Sequence, residues 1–151
     1  MDDVILARAL HVLAVIHWIG SLAFVTLVVL PLSATKAREG IALFEAVERR
    51  FSRQVRISVP VVGLSGFWMT WRMDIWDRFH DPEYWWMGAM LGLWLLFILL
   101  LFVIEPIIAR RPVERDPVAT VRRLSTAHRI LLLAAVLTAL GAVAGAHGFS
   151  F

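Results

Sequence analysis

One apolar run decides the fold of this chain: Ala9-Leu-His-Val-Leu-Ala-Val-Ile-His-Trp-Ile-Gly-Ser-Leu-Ala-Phe-Val-Thr-Leu-Val-Val-Leu30. At a rise of about 1.5 Å per residue, a helix of this length crosses a hydrocarbon core of about 30 Å. The run also contains two histidines, His11 and His17. An imidazole in hydrocarbon costs free energy unless it has a partner, so both histidines are candidates for a functional site.

The composition of the whole chain is that of an integral membrane protein. Its 151 residues are 60% hydrophobic, and the mean hydropathy is +0.75, which is more apolar than an ordinary soluble domain. The absence of cysteine excludes disulfides, iron–sulfur clusters and covalently attached haem. The arginines lie next to apolar runs, where they determine membrane topology, and this placement argues against nucleic acid as a partner.

Four apolar runs are long enough to span a bilayer, near residues 4–31, 55–73, 84–108 and 128–149. The connections between them are short, so we predict a single all-α domain, 1–151, built as an antiparallel four-helix bundle. A cleavable signal peptide begins with a basic region, whereas this chain begins Met1-Asp2-Asp3. We therefore expect the first helix to be retained.

Basic residues are concentrated in the first and third connections. They are Lys36, Arg38, Arg49, Arg50, Arg53 and Arg56, and then Arg110, Arg111, Arg115, Arg122, Arg123 and Arg129. The positive-inside rule places these connections in the cytoplasm and both termini outside, in the periplasm of a bacterial inner membrane. Apolar residues at three- and four-residue spacing from Ile41 to Val55 predict that helix two begins before the membrane. Asp116-Pro117 predicts the start of helix four.

Aromatic and small residues mark two further kinds of contact. Tryptophans and a tyrosine surround the second connection, which is typical of a membrane interface: Trp68, Trp71, Trp76, Tyr84, Trp85 and Trp86. Glycines recur where helices are expected to meet: Gly63, Gly66, Gly88, Gly92, Gly141 and Gly145. These glycines predict close helix packing, with a flat slot for a planar cofactor as the alternative.

The depth of each histidine suggests how it is used. Helix one enters from outside near residue 4, so His11 lies about 10 Å deep and His17 about 20 Å deep. Helix four runs the other way and brings His147 back toward the outer surface. Two imidazoles on facing helices form the axial ligand set of b-type haem, so we predict haem iron between His11 and His147, with His17 and His128 as second choices.

The remaining polar residues have competing interpretations. Small residues surround His17, which favours an interhelical hydrogen bond, for example to Thr70 or Thr138, over a quinone or proton-relay role. Arg8 lies one turn before His11, where it can pair with a haem propionate or extend to the headgroups. Glu105 is expected to pair with Arg56 or Arg110, with proton entry as the alternative. We interpret His128 as a residue at the cytoplasmic membrane boundary and His80 as a loop residue.

Three segments resemble small bacterial membrane proteins of the HemJ and CopD type. They are Ala9-Leu-His-Val-Leu-Ala-Val-Ile-His-Trp-Ile-Gly20, Phe44-Glu-Ala-Val-Glu-Arg-Arg-Phe51 leading to Pro60, and Trp85-Trp86. The resemblance implies a four- or five-helix bundle binding b-type haem, with His11 as a ligand. HemJ-type proteins, associated with protoporphyrinogen oxidation, open helix three with a histidine and, two residues later, a lysine, where this chain has Gly88 and Met90. CopD-type proteins are associated with copper uptake, and this chain lacks Met- or His-rich clusters.

These observations predict a b-type haem protein of the inner membrane that passes electrons between quinone or quinol and a periplasmic redox partner. It acts alone, as a homo-oligomer or as the membrane subunit of a larger complex. Two alternatives stand beside this prediction, a HemJ-like protoporphyrinogen oxidase and a cofactor-free membrane anchor. The sequence contains no glycine-rich phosphate loop and no H-E-x-x-H motif, so any catalysis is expected to be redox chemistry of the cofactor.

Overall fold

The computed structural model describes residues 1–35, 37–108 and 117–148, which form four helices and no strands. The helices are α1 (Asp2–Ala34), α2 (Ala37–Met73), α3 (residues 85–108) and α4 (Pro117–Ala146). Two short 3-10 turns, Trp76–Phe79 and Pro82–Tyr84, connect α2 to α3. The predicted all-α fold is confirmed.

Three helical segments of the described chain are long and apolar enough to cross a membrane. They are Asp2–Ala34, Pro82–Ile107 and Ala119–Ala146. They contain most of three predicted spans, although the last begins at residue 119 rather than near 128. The predicted span 55–73 in α2 is not among them, because Arg56, Arg72 and several hydroxyl side chains lower its hydropathy.

Helix α2 is a continuous helix of 37 residues. It begins well before Val55, as the apolar spacing predicted, and both Phe44 and Val55 are buried. Gly40 allows α2 to pass close to the end of α1, because a Cβ there would overlap the carbonyl oxygen of Ser33. The described part of helix α4 begins at Pro117, so the predicted start at Asp116-Pro117 stays a prediction. The proposed N-cap Asp116 and the loop residues Lys36, Arg110, Arg111 and Arg115 lie outside the described residues.

The main hydrophobic core joins all four helices. Its buried residues are Ala14, Trp18 and Leu22 of α1, Val55, Val59 and Val62 of α2, Phe97 of α3 and Ala135 of α4. A second cluster packs the end of α1 against the first half of α2 and the start of α4, through Val25, Val29, Leu30, Phe44 and Val121. The ion pair between Arg72 and Asp3 ties the other end of α2 to the start of α1.

Two helices contain a wider, π-helical turn. One is Val25–Val29 in α1, and the other is Leu100–Ile104 in α3. Such turns occur frequently at functional sites, because they change the direction in which the following side chains point. In this protein Val25 and Leu101 of these turns line the same pocket.

Four of the six glycines predicted at helix contacts are confirmed there. A Cβ at Gly63 would overlap the Trp94 indole, one at Gly141 would meet Trp85, and one at Gly145 would overlap Trp86. A Cβ at Gly66 would lie 3.3 Å from Cε1 of His11. Gly88 and Gly92 differ, because no atom of the described chain lies within 4 Å of a Cβ built on either. Trp86, predicted as an interface residue, is buried in a helix contact.

Candidate functional site: an acid pocket between the helices

A small pocket lies among side chains from all four helices, and its lining is mostly apolar with a few ionisable groups. It has a volume of about 90 Å³ and is partly open to the protein surface, which leaves room for several water molecules. We call it the acid pocket and define it by Trp18, Glu48, Ser52, Phe97, Glu105 and His128. Further lining residues, including Leu22, Val25, Phe51 and Leu101, are apolar. Ionisable groups therefore share one small cavity with aromatic and aliphatic walls.

Helix α2 places Glu48 and Ser52 in the pocket because they follow Phe44 at four-residue intervals and lie on the same helix face. Phe44 and Val55 of this face are buried, so the helix carries Glu48 and Ser52 into contact with its neighbours. On α3, Glu105 directly follows the π-helical turn Leu100–Ile104 and directly precedes Pro106. Local helix geometry thus brings two carboxyl groups from different helices to one place.

Glu105 is held by two partners on α2. The Ser52 hydroxyl lies 2.7 Å from each carboxylate oxygen and donates to them. The Arg56 guanidinium lies 3.3 Å from Oε1, as the sequence predicted for one of two candidate arginines. A hydroxyl donor and a guanidinium are the partners that a carboxylate anion uses. Glu105 therefore holds α3 to α2 at the pocket wall.

Glu48 is in a different state from Glu105. No described side chain hydrogen-bonds it or forms an ion pair with it. Burial raises the pKa of the Glu48 carboxyl to about 7, and the negative charges of Glu105 and Glu45 act in the same direction. Glu48 can therefore take up and release a proton near neutral pH.

Trp18 presents an unused donor at the pocket. Its side chain is only 4% exposed, and its ring meets Phe97 edge to face at a centroid distance of 4.7 Å. Its Nε1 is buried without a hydrogen-bond partner in the described structure. The indole N–H is a donor only, and a buried donor without an acceptor costs about 1–3 kcal/mol. Trp94 shows the usual arrangement, since its Nε1 donates to the Val59 carbonyl at 2.8 Å.

His128 completes the polar part of the pocket. Its Nδ1 lies 2.9 Å from the Leu124 carbonyl oxygen of its own helix. A carbonyl can only accept, so Nδ1 carries the proton, and Nε2 is the basic nitrogen of the neutral ring. The ring also contacts Phe44 at 6.1 Å between centroids. His128 therefore lines the same pocket as the two carboxyl groups, whereas the sequence indicated a boundary histidine or a second-choice haem ligand.

His11 lies in a separate polar contact between α1 and α2, which we call the His11 site: His11, the Val62 carbonyl, Ser65 and Gly66. Nδ1 of the ring is 3.0 Å from the Val62 carbonyl oxygen and 3.1 Å from the Ser65 hydroxyl. Donation to the carbonyl fixes the tautomer and leaves Nε2 as a basic nitrogen, as in histidines that bind metals. The ring is half-buried.

The other predicted ligands are placed elsewhere. His147 is exposed, and its Nδ1 lies 2.7 Å from the Val143 carbonyl of its own helix. His17 uses both ring nitrogens between helices, with Ser58 at 3.2 Å and Gln54 at 3.3 Å. This is the predicted kind of contact, but its partners are not Thr70 or Thr138. Arg8 is exposed, and no described side chain pairs with it.

Among the described residues, His11 has the chemistry of an axial haem ligand. The predicted His11–His147 pair stays a prediction, because two axial imidazoles lie on opposite faces of a haem and do not contact each other. The described residues contain no group of three or more His, Cys, Asp or Glu side chains that could hold a metal ion. His11, with its Nδ1 anchored and its Nε2 basic, is the residue that meets the chemical requirement for iron ligation.

Sequence reasoning missed Glu48 and Trp18 as site residues. The signal for Glu48 was present, because it interrupts the apolar stripe that includes Phe44, Phe51 and Val55. A carboxyl on an apolar helix face indicates burial and an altered pKa. Trp18 gave no such signal, since a missing acceptor is a property of the packed structure and not of local sequence.

Comparison with known proteins gave no match among family models, curated proteins or solved structures.

Proposed function

We propose that the chain is a multi-pass protein of a bacterial cytoplasmic membrane, with four antiparallel helices in a bundle and both termini outside. Three helices of sufficient length and apolar composition support the proposal. The outer surfaces of α1 and α4 support it too, because large apolar side chains such as Ile16, Ile130 and Val143 are more than 60% exposed. Lipid is the environment in which such surfaces are favourable.

Helix α2 serves as the fourth span in this proposal. Its buried polar side chains, Ser52, Ser58, Ser65 and Thr70, lie toward the other helices. Apolar Ile57 and Leu64 are exposed, which is the arrangement favoured in lipid. The basic residues in the first half of α2 favour the cytoplasmic side for that end, and the Arg72–Asp3 pair then lies at the outer side.

The proposed activity is proton-coupled electron exchange between a quinone and a redox partner. The acid pocket is the observation that carries this proposal. Glu48 precedes the predicted span 55–73 and lies at the cytoplasmic end of the proposed bundle, where water can supply and accept protons. Conversion of a quinone to a quinol takes up two electrons and two protons. Glu48 is only partly ionised near pH 7, so it can supply and recover protons there.

A b-type haem on His11 is the proposed electron-carrying group. The support is the orientation of the His11 ring, whose Nδ1 is engaged by the Val62 carbonyl and whose Nε2 is the basic nitrogen. When bound, a haem supplies one-electron transfer between quinol chemistry and a partner protein. Gly66, beside the His11 ring, holds α2 close to α1 and keeps the ring in this orientation.

The first experiment tests haem binding and its ligand. Protein purified from haem-replete cells is expected to be red, with a Soret band and visible absorption bands that shift on reduction with dithionite. His11→Ala should lose these bands, and the matched variant His147→Ala should keep them, because His147 is exposed and bonded within its own helix. Loss in both variants would instead restore the predicted His11–His147 pair. A colourless wild-type protein would contradict the haem.

The second experiment tests the reaction. A short-chain ubiquinol added to the oxidised protein should reduce it, and the rate should fall in Glu48→Gln. Turnover of protoporphyrinogen with no response to quinol would favour the alternative oxidase. A colourless protein that neither binds quinone nor turns over either compound would favour the cofactor-free anchor. Each result therefore selects one of the three functions.

A further inference from the structure

The indole N–H of Trp18 is the strongest indication that the acid pocket receives a ligand. The side chain is almost fully buried, and its Nε1 has no acceptor in the described structure. Trp94, in the same helix bundle, has its N–H fully used by the Val59 carbonyl. A buried donor is normally paired, so an unpaired one on a residue that lines a cavity indicates a position for an acceptor atom. Because Nε1 itself is closed to solvent, a small shift of the neighbouring side chains must admit that acceptor.

The rest of the pocket restricts what that acceptor can belong to. Phe51 and Phe97 provide aromatic walls, and Leu22 and Leu101 add aliphatic surface, so the body of the ligand must be apolar. The two carboxyl groups, Glu48 and Glu105, disfavour an anionic ligand. Arg56 already pairs with Glu105, which leaves little negative charge to attract a cation. A neutral, flat molecule with an oxygen acceptor satisfies all of these conditions.

We propose that the acid pocket is the quinone site, where Trp18 Nε1 donates to one quinone oxygen and Glu48 exchanges protons with the bound head group. This assignment rests on the proposed quinone-linked function and names the residues that perform it. Glu105 stays bonded to Ser52 and Arg56 and keeps the wall in place. The isoprenoid tail extends from the open side of the pocket.

The proton balance assigns a defined task to Glu48. Reduction converts the two C=O groups of the quinone to C–OH groups. It takes up two protons and two electrons, and a one-electron donor delivers the electrons one at a time. The Glu48 carboxylic acid gives one proton, recovers another from water, and gives the second. Oxidation of quinol runs the same steps in reverse, with the protons returned to water and the electrons returned to the one-electron acceptor.

Binding of a short-chain ubiquinone to protein in lipid nanodiscs tests the Trp18 contact. Trp18→Phe removes the N–H and keeps an aromatic ring, and it should weaken binding about tenfold, the effect of losing one hydrogen bond of typical strength. The matched control is Trp94→Phe, which removes an N–H outside the pocket and should leave the affinity within about twofold. Nanodiscs without protein correct for partition of the quinone into lipid.

A spectroscopic measurement makes the test independent of folding of the variants. The wild-type protein has seven tryptophans, and its indole N–H groups can be labelled with ¹⁵N and followed by NMR. The Trp18 resonance should move downfield on addition of the quinone, and the Trp94 resonance should stay in place. This result needs no substitution except to assign the peaks.

The possible outcomes distinguish failure of the pocket assignment from failure of the proposed quinone-linked function. If wild-type protein binds the quinone but Trp18→Phe binds it equally well and the Trp18 resonance does not move, the pocket assignment is overturned and the quinone binds elsewhere. If wild-type protein binds no quinone, the proposed function itself fails. Weaker binding by both Trp18→Phe and Trp94→Phe to the same degree, without a shift at Trp18, also overturns the assignment, because the effect would then be structural.

Discussion

The His11 site and the acid pocket both place polar side chains between apolar helices, but their donors are used differently. At the His11 site, the ring N–H and the Ser65 hydroxyl each have an acceptor on α2. In the acid pocket, the Trp18 N–H has no acceptor in the described structure, and no described side chain forms a hydrogen bond or an ion pair with the Glu48 carboxyl. Donors with an acceptor stabilise the contact between two helices, whereas a donor without an acceptor can still form a hydrogen bond with another molecule.

The comparison also separates two carboxyl groups within the acid pocket. Glu105 is bonded to Ser52 and Arg56 and behaves as part of the structure. Glu48 is half-buried beside it without such partners, and its pKa is raised to about 7. A position beside the acid pocket is therefore not sufficient to assign a role to a carboxyl group. The role depends on whether that group has a hydrogen-bond or ion-pair partner.

The largest effect is expected at Glu105. Glu105→Ala removes the acceptor of the Ser52 hydroxyl and the partner of Arg56, and it should lower the free energy of unfolding by about 2 to 3 kcal/mol. This value is below that of a fully buried pair because about one third of each charged side chain is exposed. Reversible unfolding by SDS in mixed micelles measures it. Exposed Glu45→Ala is the control, and an equal loss there would contradict a structural role for Glu105.

The next effect is a pH dependence that originates at Glu48. Its pKa is about 7 in the folded protein against 4.5 as the ordinary value, so between these values the folded state binds more protons than the unfolded state. The free energy of unfolding should therefore fall as the pH rises through this window, and the full stabilisation is present below pH 4.5. A shift of this size corresponds to about 3.4 kcal/mol, and solvent screening of the half-buried Glu48 side chain reduces the expected fall to about 2 kcal/mol.

Glu48→Gln isolates this dependence. Glu105, Arg56, Glu45 and His128 also lie near Glu48, so the quantity to compare is the difference between wild type and variant at each pH. That difference should grow in favour of Glu48→Gln as the pH is raised toward 8. A constant difference would show that Glu48 ionises normally and would remove it as a proton-exchanging group.

The sequence was sufficient to predict the helices and some of the side-chain pairs between them, but it was not sufficient to predict the acid pocket. Hydrophobic length located α1, α3 and α4, and charge complementarity selected Arg56 as one of two partners for Glu105. The kind of contact made by His17 was predicted, but its partners Ser58 and Gln54 depend on the rotation of α2 about its axis. That rotation is fixed by packing such as Gly63 against Trp94, which local sequence does not specify.

A smaller effect is expected when the His11 site loses its hydrogen bonds. His11→Phe keeps a ring against Gly66 but removes the N–H that binds the Val62 carbonyl, and it should cost about 1.5 kcal/mol. His147→Phe is the matched control and should stay within about 0.5 kcal/mol, because His147 is exposed and bonded only to its own helix. Equal losses from both variants would mean that the bond to α2 contributes nothing.

The smallest effect, and the most informative for the comparison, distinguishes two tryptophans. Trp94→Phe loses a hydrogen bond to the Val59 carbonyl and should cost about 1 kcal/mol. Trp18→Phe, although more buried, should cost about 0.5 kcal/mol or less, because removing an unpaired donor offsets the loss of ring contacts. A Trp18→Phe cost well above that of Trp94→Phe in ligand-free protein would show that the Trp18 N–H already has a partner, such as an ordered water.

Addition of a short-chain ubiquinone should then reverse this order. A ligand that binds only the folded state raises the free energy of unfolding by mass action, by about 2.7 kcal/mol at one hundred times its dissociation constant. The gain should be nearly complete in Trp94→Phe and reduced by about 1.4 kcal/mol in Trp18→Phe if binding there is tenfold weaker. The two tryptophans would thereby separate a donor that stabilises the fold from one that is kept for a ligand.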